Sequence, residues 1–338
     1  MKVLVTGGAG YIGSHTILEL VASGHEVVIV DNLVNSDREA IRRIEKITGN
    51  SFPFYEIDCC DTVKLGQVFI EHEIDTVIHF AGLKAVGESV AQPLRYYQNN
   101  LGSTLALCTV MQKHKVNKLI FSSSATVYGL PSELPLKESS QVGIGITNPY
   151  GQTKYMIEQI LRDLVVSNPA WQISLLRYFN PIGAHSSGLI GEDPSGIPNN
   201  LLPYVSQVAV GKLGKISVYG DDYDTPDGSG VRDYIHVVDL ARGHVAALGH
   251  LPAAGTIETY NLGTGRGTSV LELINAFEQA CGKTLAYEIA PRRPGDIASC
   301  YADASKAARQ LDWQATKTIS DACADAWRWQ LQNPNGYK

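Results

Sequence analysis

Tyr150 and Lys154 stand four residues apart, with Pro149 just before them and Ser122-Ser123-Ser124 upstream. On a helix, positions i and i+4 share one face, about 6 Å apart along the axis. Pro149 suits a first helical turn, where its missing N–H costs nothing. A phenol titrates near pH ~10 and is a poor base at neutral pH unless its anion is stabilised. A cation about 5 Å away contributes on the order of 3 kcal/mol at an effective dielectric near 20, roughly two pKa units. The chemistry implied is a phenolate base lowered by Lys154, and lowered further by any cationic cofactor ring nearby. Tyr-x-x-x-Lys recurs on ordinary surface helices, so its weight depends on the elements that position it.

Those elements begin with residues 2–5, an apolar strand, followed by Thr6-Gly7-Gly8-Ala9-Gly10-Tyr11-Ile12-Gly13 and a helix to about Ser23. Gly7, Gly10 and Gly13 permit a tight turn and close backbone approach, so a pyrophosphate can rest on the helix N-terminus. A second strand, Glu26–Val30, ends in Asp31, eighteen residues beyond Gly13. A carboxylate there accepts from the adenosine ribose hydroxyls and repels a 2′-phosphate, which favours NAD over NADP.

Apolar strands at 52–57, 76–80, 118–122 and 173–177 alternate with helices, notably about 93–114 and 149–167. That β-α-β alternation predicts an α/β fold with a doubly wound parallel sheet of Rossmann type. Ligands of such sheets bind beyond the carboxyl ends of the strands, where Asp31, Asp58, Phe80–Lys84, Ser124 and Phe179-Asn180 all fall. After Asn180 the alternation lapses. A helix is expected near 199–211, a strand at 216–219, a loop at 220–230 and helices from Val238 and Ser269. The Gly-rich Asn261–Gly267 is read as a structural turn. Residues 1–180 then form a nucleotide-binding domain and residues 181–338 a smaller α/β substrate domain.

The 338 residues are 44% hydrophobic and 18% charged, with a net charge of -6. This is a globular composition with ample core, and its sign disfavours nucleic acid and anionic membrane as partners. No apolar run approaches the ~20 residues of a membrane span, and Met1-Lys2 leads directly into the first strand, so no cleavable signal is expected. The six cysteines show no metal-type spacing. They read as free thiols in a reducing cytoplasm, with no metal site.

Along essentially its whole length the chain resembles the extended short-chain dehydrogenase/reductases and, more narrowly, the UDP-glucose 4-epimerase family. The runs that carry the resemblance are Val5–His15, His79–Ser89, Phe121–Gly129, Leu176–Pro181, Gly191–Pro194, Val231–His236 and Arg292–Asp296. The resemblance implies reversible C4 inversion of UDP-hexoses through a transient 4-keto sugar. Tyr150 would be the base, with Ser124 hydrogen-bonded to the same oxygen and Lys154 completing the set. It implies tightly held NAD on Gly7, Gly10, Tyr11, Ile12, Gly13, Asp31, Asn32, Leu33, Asn35, Ser36, Asp58, Cys59, Phe80, Ala81, Gly82, Lys84, Asn99, Ser124, Tyr150, Lys154 and Phe179. The UDP-sugar would meet Lys84, Ser124, Tyr150, Tyr178, Asn180, Asn200, Leu201, Val218, Tyr219, Arg232, Arg293, Asp296 and Cys300.

The resemblance also implies a homodimer through the helices near 93–114 and 149–167, and residues near 231–247 packed back on the first domain. Cys300 falls where a Tyr or a smaller residue stands in the family, so the expected substrates include UDP-GalNAc and UDP-GlcNAc. Pro294 departs from a common Glu. Two other readings share the fold, a nucleotide-sugar 4,6-dehydratase and a non-catalytic NAD-binding regulator. Ala125-Thr126-Val127 lacks the carboxylate pair a dehydratase needs, and a regulator needs no Ser124, Tyr150 and Lys154.

Overall fold

A computed structural model describes residues 1–293 and 295–338; the Pro294 departure lies outside the described residues. The first half runs β1 (Lys2–Thr6), α1 (Tyr11–Ala22), β2 (Glu26–Asp31), α2 (Arg38–Thr48), β3 (Phe54–Glu56) and α3 (Thr62–Glu71). It continues with β4 (Thr76–His79), α4 (Val86–Ala91), α5 (Pro93–Lys113), β5 (Lys118–Ser124), α6 (Pro149–Ser167) and β6 (Gln172–Tyr178). A 3-10 turn, Ala125–Tyr128, follows β5.

The second half is made of shorter pieces. They are β7 (Asn180–Ile182), α7 (Leu201–Ala209), β8 (Ile216–Tyr219), β9 (Val231–Arg232), β10 (Tyr234–His236), α8 (Val237–Gly249) and β11 (Thr256–Leu262). After them come β12 (Thr268–Ser269), α9 (Val270–Cys281), β13 (Tyr287–Ala290), β14 (Ser299–Cys300), α10 (Ser305–Gln310) and α11 (Ile319–Gln332).

Seven strands form one sheet in the order β11-β6-β5-β4-β1-β2-β3, every neighbour parallel. The order reverses between β1 and β4, and that switch point opens a crevice at the carboxyl ends. The strands carry near-continuous runs of Val, Ile and Leu because both faces are covered. Val3, Val5, Ile29 and Ile78 face one core with α1 and α8; Leu4, Val28, Val77 and Leu119 face the other with α3, α5 and α6.

The chain returns to this sheet late. α8 packs on α1, and β11 pairs with β6 over its whole length, Thr256↔Gln172 to Leu262↔Tyr178. The sequence reading placed 256–262 with the second half and saw no strand there. Thr256-Ile257-Glu258-Thr259-Tyr260 mixes charge with β-branched and aromatic residues, as an edge strand does. A separate core of Ile182, Leu202, Val205, Ile216, Val218, Leu273 and Phe277 holds the remaining second half.

Helix ends follow local chemistry. The Asn148 side chain accepts from Gly151 N at 2.8 Å and Pro149 opens the first turn, so α6 starts one residue before Tyr150. Ser269 and Glu272 form the expected capping box of α9, which stops at Gly282 with φ +68°.

Candidate active site

The glycine turn is shaped for a ligand backbone. Gly7 has φ +72°, and a Cβ there would lie 2.7 Å from Ala81 N. A Cβ on Gly13 would lie 2.3 Å from Gly7 O, which welds α1 to the turn. α1 has no side-chain cap, so its first N–H groups face the crevice without a protein acceptor from its N-cap residue Gly10.

Asp31 ends β2 and is 7% exposed. Its Oδ1 accepts from Leu33 N at 2.9 Å and Ser36 Oγ at 2.8 Å, and its Oδ2 accepts from Ala9 N at 3.0 Å. Burial pushes its pKa up and these bonds pull it back. A carboxylate offers about four lone-pair directions, so the one left over is all that Asp31 can present to a ribose. The residue therefore also staples the glycine turn to β2, a part the sequence reading did not give it. Beside it, Asn32 Nδ2 donates to Asp58 Oδ2 at 3.2 Å, Leu33 adopts φ +57°, Asn35 is exposed and Cys59 is buried.

Phe80, Ala81 and Gly82 follow β4, and Asn100 fixes their exit. Its Oδ1 accepts from Leu83 N at 2.8 Å, its Nδ2 donates to Leu83 O at 3.0 Å and to Thr153 Oγ1 at 3.1 Å, and Asn99 Nδ2 donates to its Oδ1. Asn100 thus ties the β4 loop to the helix that bears Tyr150. It lies one position from the expected Asn99, and no sequence periodicity distinguishes the two.

Tyr150 and Lys154 lie on one face of α6, Lys154 buried and Tyr150 partly exposed to the crevice, with the Lys154 Nζ 5.9 Å from the Tyr150 ring centroid. Lys154 Nζ donates to Ser122 O at 2.5 Å. Burial lowers its pKa to about 7. Burial raises the Tyr150 pKa, and a hydrogen bond with Ser124 acts against that rise. The Lys154 head group is committed to β5 through Ser122 O, and burial acts against the lowering that its charge gives the Tyr150 phenol.

Behind this face, Glu158 accepts from Arg177 Nε at 2.9 Å, Arg177 Nη2 at 2.7 Å and Ser123 Oγ at 2.6 Å, all fully buried or nearly so. This pair fixes β5 and β6 against α6, and sequence spacing gave no sign of it.

The far wall comes from the second half. β14 pairs parallel with β9, Cys300 opposite Arg232, and β7 pairs with β10, Asn180 opposite Tyr234. Asp233, between β9 and β10, holds the corner. Its N–H donates to Cys300 O at 3.0 Å, and its carboxylate accepts from Thr264 N at 2.8 Å, Gly265 N at 3.0 Å and Ala302 N at 3.1 Å. The Gly-rich 261–267 run is a turn around this carboxylate, so these N–H groups are taken and it is not a phosphate loop. Cys300 is half-buried against the Val127, Tyr128 and Phe179 cluster, and burial pushes its thiol up to about 11.

Lys84 and Asn200 meet across the crevice on one atom: Glu192 Oε1 accepts from Lys84 Nζ at 3.0 Å and from Asn200 Nδ2 at 2.7 Å. Arg293 Nε donates to Asp296 Oδ2 at 2.9 Å, and its guanidinium sits 4.6 Å over the Tyr219 ring. Val218 is not with them. Strand alternation turns its side chain, 1% exposed, into the second core with Ile216, while Tyr219 faces out. Tyr11 donates to Gly183 O at 2.6 Å and Leu201 opens α7 next to Asn200.

The model of the NAD dependent epimerase/dehydratase family matches residues 3–263. A UDP-glucose 4-epimerase of Bacillus subtilis is 60% identical over 338 residues, covering 100% of this chain and 99% of that one. The crystal structure of UDP-glucose 4-epimerase from Bifidobacterium longum in complex with NAD+ and UDP superposes with a TM-score of 0.96 at 60% identity, covering 99% of this chain and 100% of that one. That of the UDP-Glc/GlcNAc 4-epimerase from Campylobacter jejuni gives 0.85 at 37% identity, covering 98% and 99%. The chain therefore belongs to the NAD-dependent epimerase/dehydratase family and, within it, to the UDP-glucose 4-epimerases.

Proposed function

We propose that the crevice works as follows in the C4 epimerisation of UDP-hexoses. The uncapped α1 terminus and the glycine cradle receive the pyrophosphate of NAD, and the spare lone pair of Asp31 receives its adenosine ribose. NAD held by these residues would supply hydride acceptance and return at C4, and a cationic ring that favours the Tyr150 phenolate. Tyr150 holds and returns the C4 hydroxyl proton, Ser124 orients that oxygen, and Lys154 braces Ser122 at the end of β5. Arg232, Arg293 and Asp296 stand on the wall where a nucleoside diphosphate has to be anchored while the hexose turns.

The observation that carries this reading is the Ser124, Tyr150 and Lys154 set at the end of β5, followed by a 3-10 turn, Ala125-Thr126-Val127-Tyr128, without a carboxylate for elimination. Purified protein given UDP-galactose and no added NAD is expected to form UDP-glucose. A dehydrated 4-keto product, or no reaction, overturns the reading.

Four finer readings go with it. Cys300 leaves room for an acetamido group, supported by its half-buried place beside Arg232 and by the likeness to the UDP-Glc/GlcNAc 4-epimerase of Campylobacter jejuni. A homodimer through α5 and α6 is supported by exposed Leu94, Leu105 and Met156 on those helices. A cytoplasmic enzyme is supported by six unpaired cysteines, and no helix among the described residues is long and apolar enough to cross a membrane. The nucleotide domain is best drawn as 1–180 together with α8 and β11, and the substrate domain as the rest.

A further inference from the structure

Next to the Tyr150 phenol lies a second one. Tyr178 ends β6 directly opposite Ser124 of β5 and is 6% exposed, and its ionisation is opposed by burial and by the nearby Tyr150 phenol and eased by the Ser122 hydroxyl. Its hydroxyl forms a short hydrogen bond to His244 Nε2 on α8. The His244 ring also packs 4.8 Å from Phe80, at the end of β4.

The direction of this bond follows from elimination. His244 Nδ1 lies 2.8 Å from Leu240 O, and a carbonyl only accepts, so Nδ1 carries the ring proton. Burial keeps the imidazole neutral, lowering its pKa to about 4. Nε2 is then bare, and Tyr178 has to donate to it. The phenol proton is held on the α8 side, and the lone pairs of its oxygen are left for groups at the ends of β5 and β6. Of two neighbouring phenols, one has its proton locked and the other is free to exchange it.

We propose that His244 is a positioning residue for the reaction. Through Tyr178 it fixes the orientation of hydrogen bonds at the carboxyl ends of β5 and β6, so that Tyr150 alone moves a proton. The inference rests on the epimerase reading and adds to it a residue 94 positions from Tyr150 in sequence, on a helix the chain brings back to the sheet. Without the imidazole the Tyr178 proton loses its acceptor and turns toward the reacting oxygens, misplacing them by a fraction of an ångström; such shifts cost roughly tenfold or more in rate.

The test uses the NAD-loaded enzyme and UDP-galactose. His244→Phe is expected to lower kcat about tenfold or more, with KM within about threefold and NAD still bound after gel filtration. His244→Gln, whose amide oxygen can reach the Nε2 position as an acceptor, is expected to recover to within about threefold of the parent. In a Tyr178→Phe background His244→Phe should cost nothing further, because the link is already cut. Equal losses in the Gln and Phe variants, loss of NAD, or additive losses in the double variant overturn the proposal. Tyr178→Phe alone reads the link from its other end, and unchanged kcat there overturns it too. A parent that does not turn over UDP-galactose refutes the epimerase reading itself, whereas a parent that does, matched by His244→Phe, refutes only the role of His244.

Discussion

Lys154 Nζ donates to Ser122 O at 2.5 Å, on the strand behind the site, while lying 5.9 Å from the centre of the Tyr150 ring. The lysine braces β5 first and polarises second. Tyr150→Phe, which removes only the oxygen, is expected to fold, keep NAD and lose at least about 10²-fold in turnover. Lys154→Met should lose turnover and also loosen NAD, read as cofactor released on gel filtration. Near-normal turnover in Tyr150→Phe removes the phenol from the mechanism.

Asp31 has two tasks that its variants separate. Asp31→Asn keeps an oxygen for Leu33 N and Ser36 Oγ but turns an NH2 toward Ala9 N and loses the charge, so NADP should be less excluded at a smaller cost to the fold than in Asp31→Ala. Asp31→Ala also leaves Ala9 N and Leu33 N without their acceptor. It should cost on the order of 1.5–3 kcal/mol in unfolding free energy and weaken NAD binding. Equal cofactor discrimination in the parent and Asp31→Asn, measured by NAD and NADP titration of the stripped protein, contradicts the ribose assignment.

Cys300→Tyr adds a phenol ring beside Arg232. UDP-GalNAc turnover is expected to disappear, with the UDP-galactose rate kept within about tenfold, since clashes in a pocket shift discrimination by ~1–3 kcal/mol or more. A parent enzyme inactive on UDP-GalNAc at concentrations that saturate with UDP-galactose ends this reading.

Stability should fall steeply with acid. Burial lowers His15 and His79 to about 3 and His244 to about 4, against ~6.5 in the unfolded chain. The unfolded form therefore takes up protons from about pH 6.5 downward while the folded form refuses them, so unfolding gains as pH drops through that window. Three such groups give a slope approaching ~4 kcal/mol per pH unit. Below pH ~4, Asp325, lowered to about 2 by His236, Arg328 and Lys317, acts in the same direction. Burial raises Asp31 and Asp233, which act against the trend. Urea unfolding at pH 7, 6 and 5 measures the slope. His15→Leu should reduce it by about one proton, and an unchanged slope contradicts the assignment.

What could be read from sequence was whatever depends on near neighbours. The glycine turn, the Asp31 position, the Pro149 start and the Ser269–Glu272 capping box each follow from residues within one turn or one βα unit. What could not be read joins distant segments. Asp233 supports a turn about thirty residues on, Glu192 bridges Lys84 to Asn200, and His244 reaches Tyr178 from a returning helix. The burial of the Val218 side chain was likewise set by which face of a two-residue period packs inward, which a resemblance does not carry.

The late return of β11 to the sheet limits how this chain can be cut. A fragment ending near residue 180 would keep six strands but leave β6, an almost wholly buried Ile-Ser-Leu-Leu-Arg-Tyr run, as a bare edge. An apolar edge of that length with unpaired N–H and C=O groups invites other chains to add to it. The nucleotide half is therefore not a module that can be expressed alone or shuffled by a single crossover.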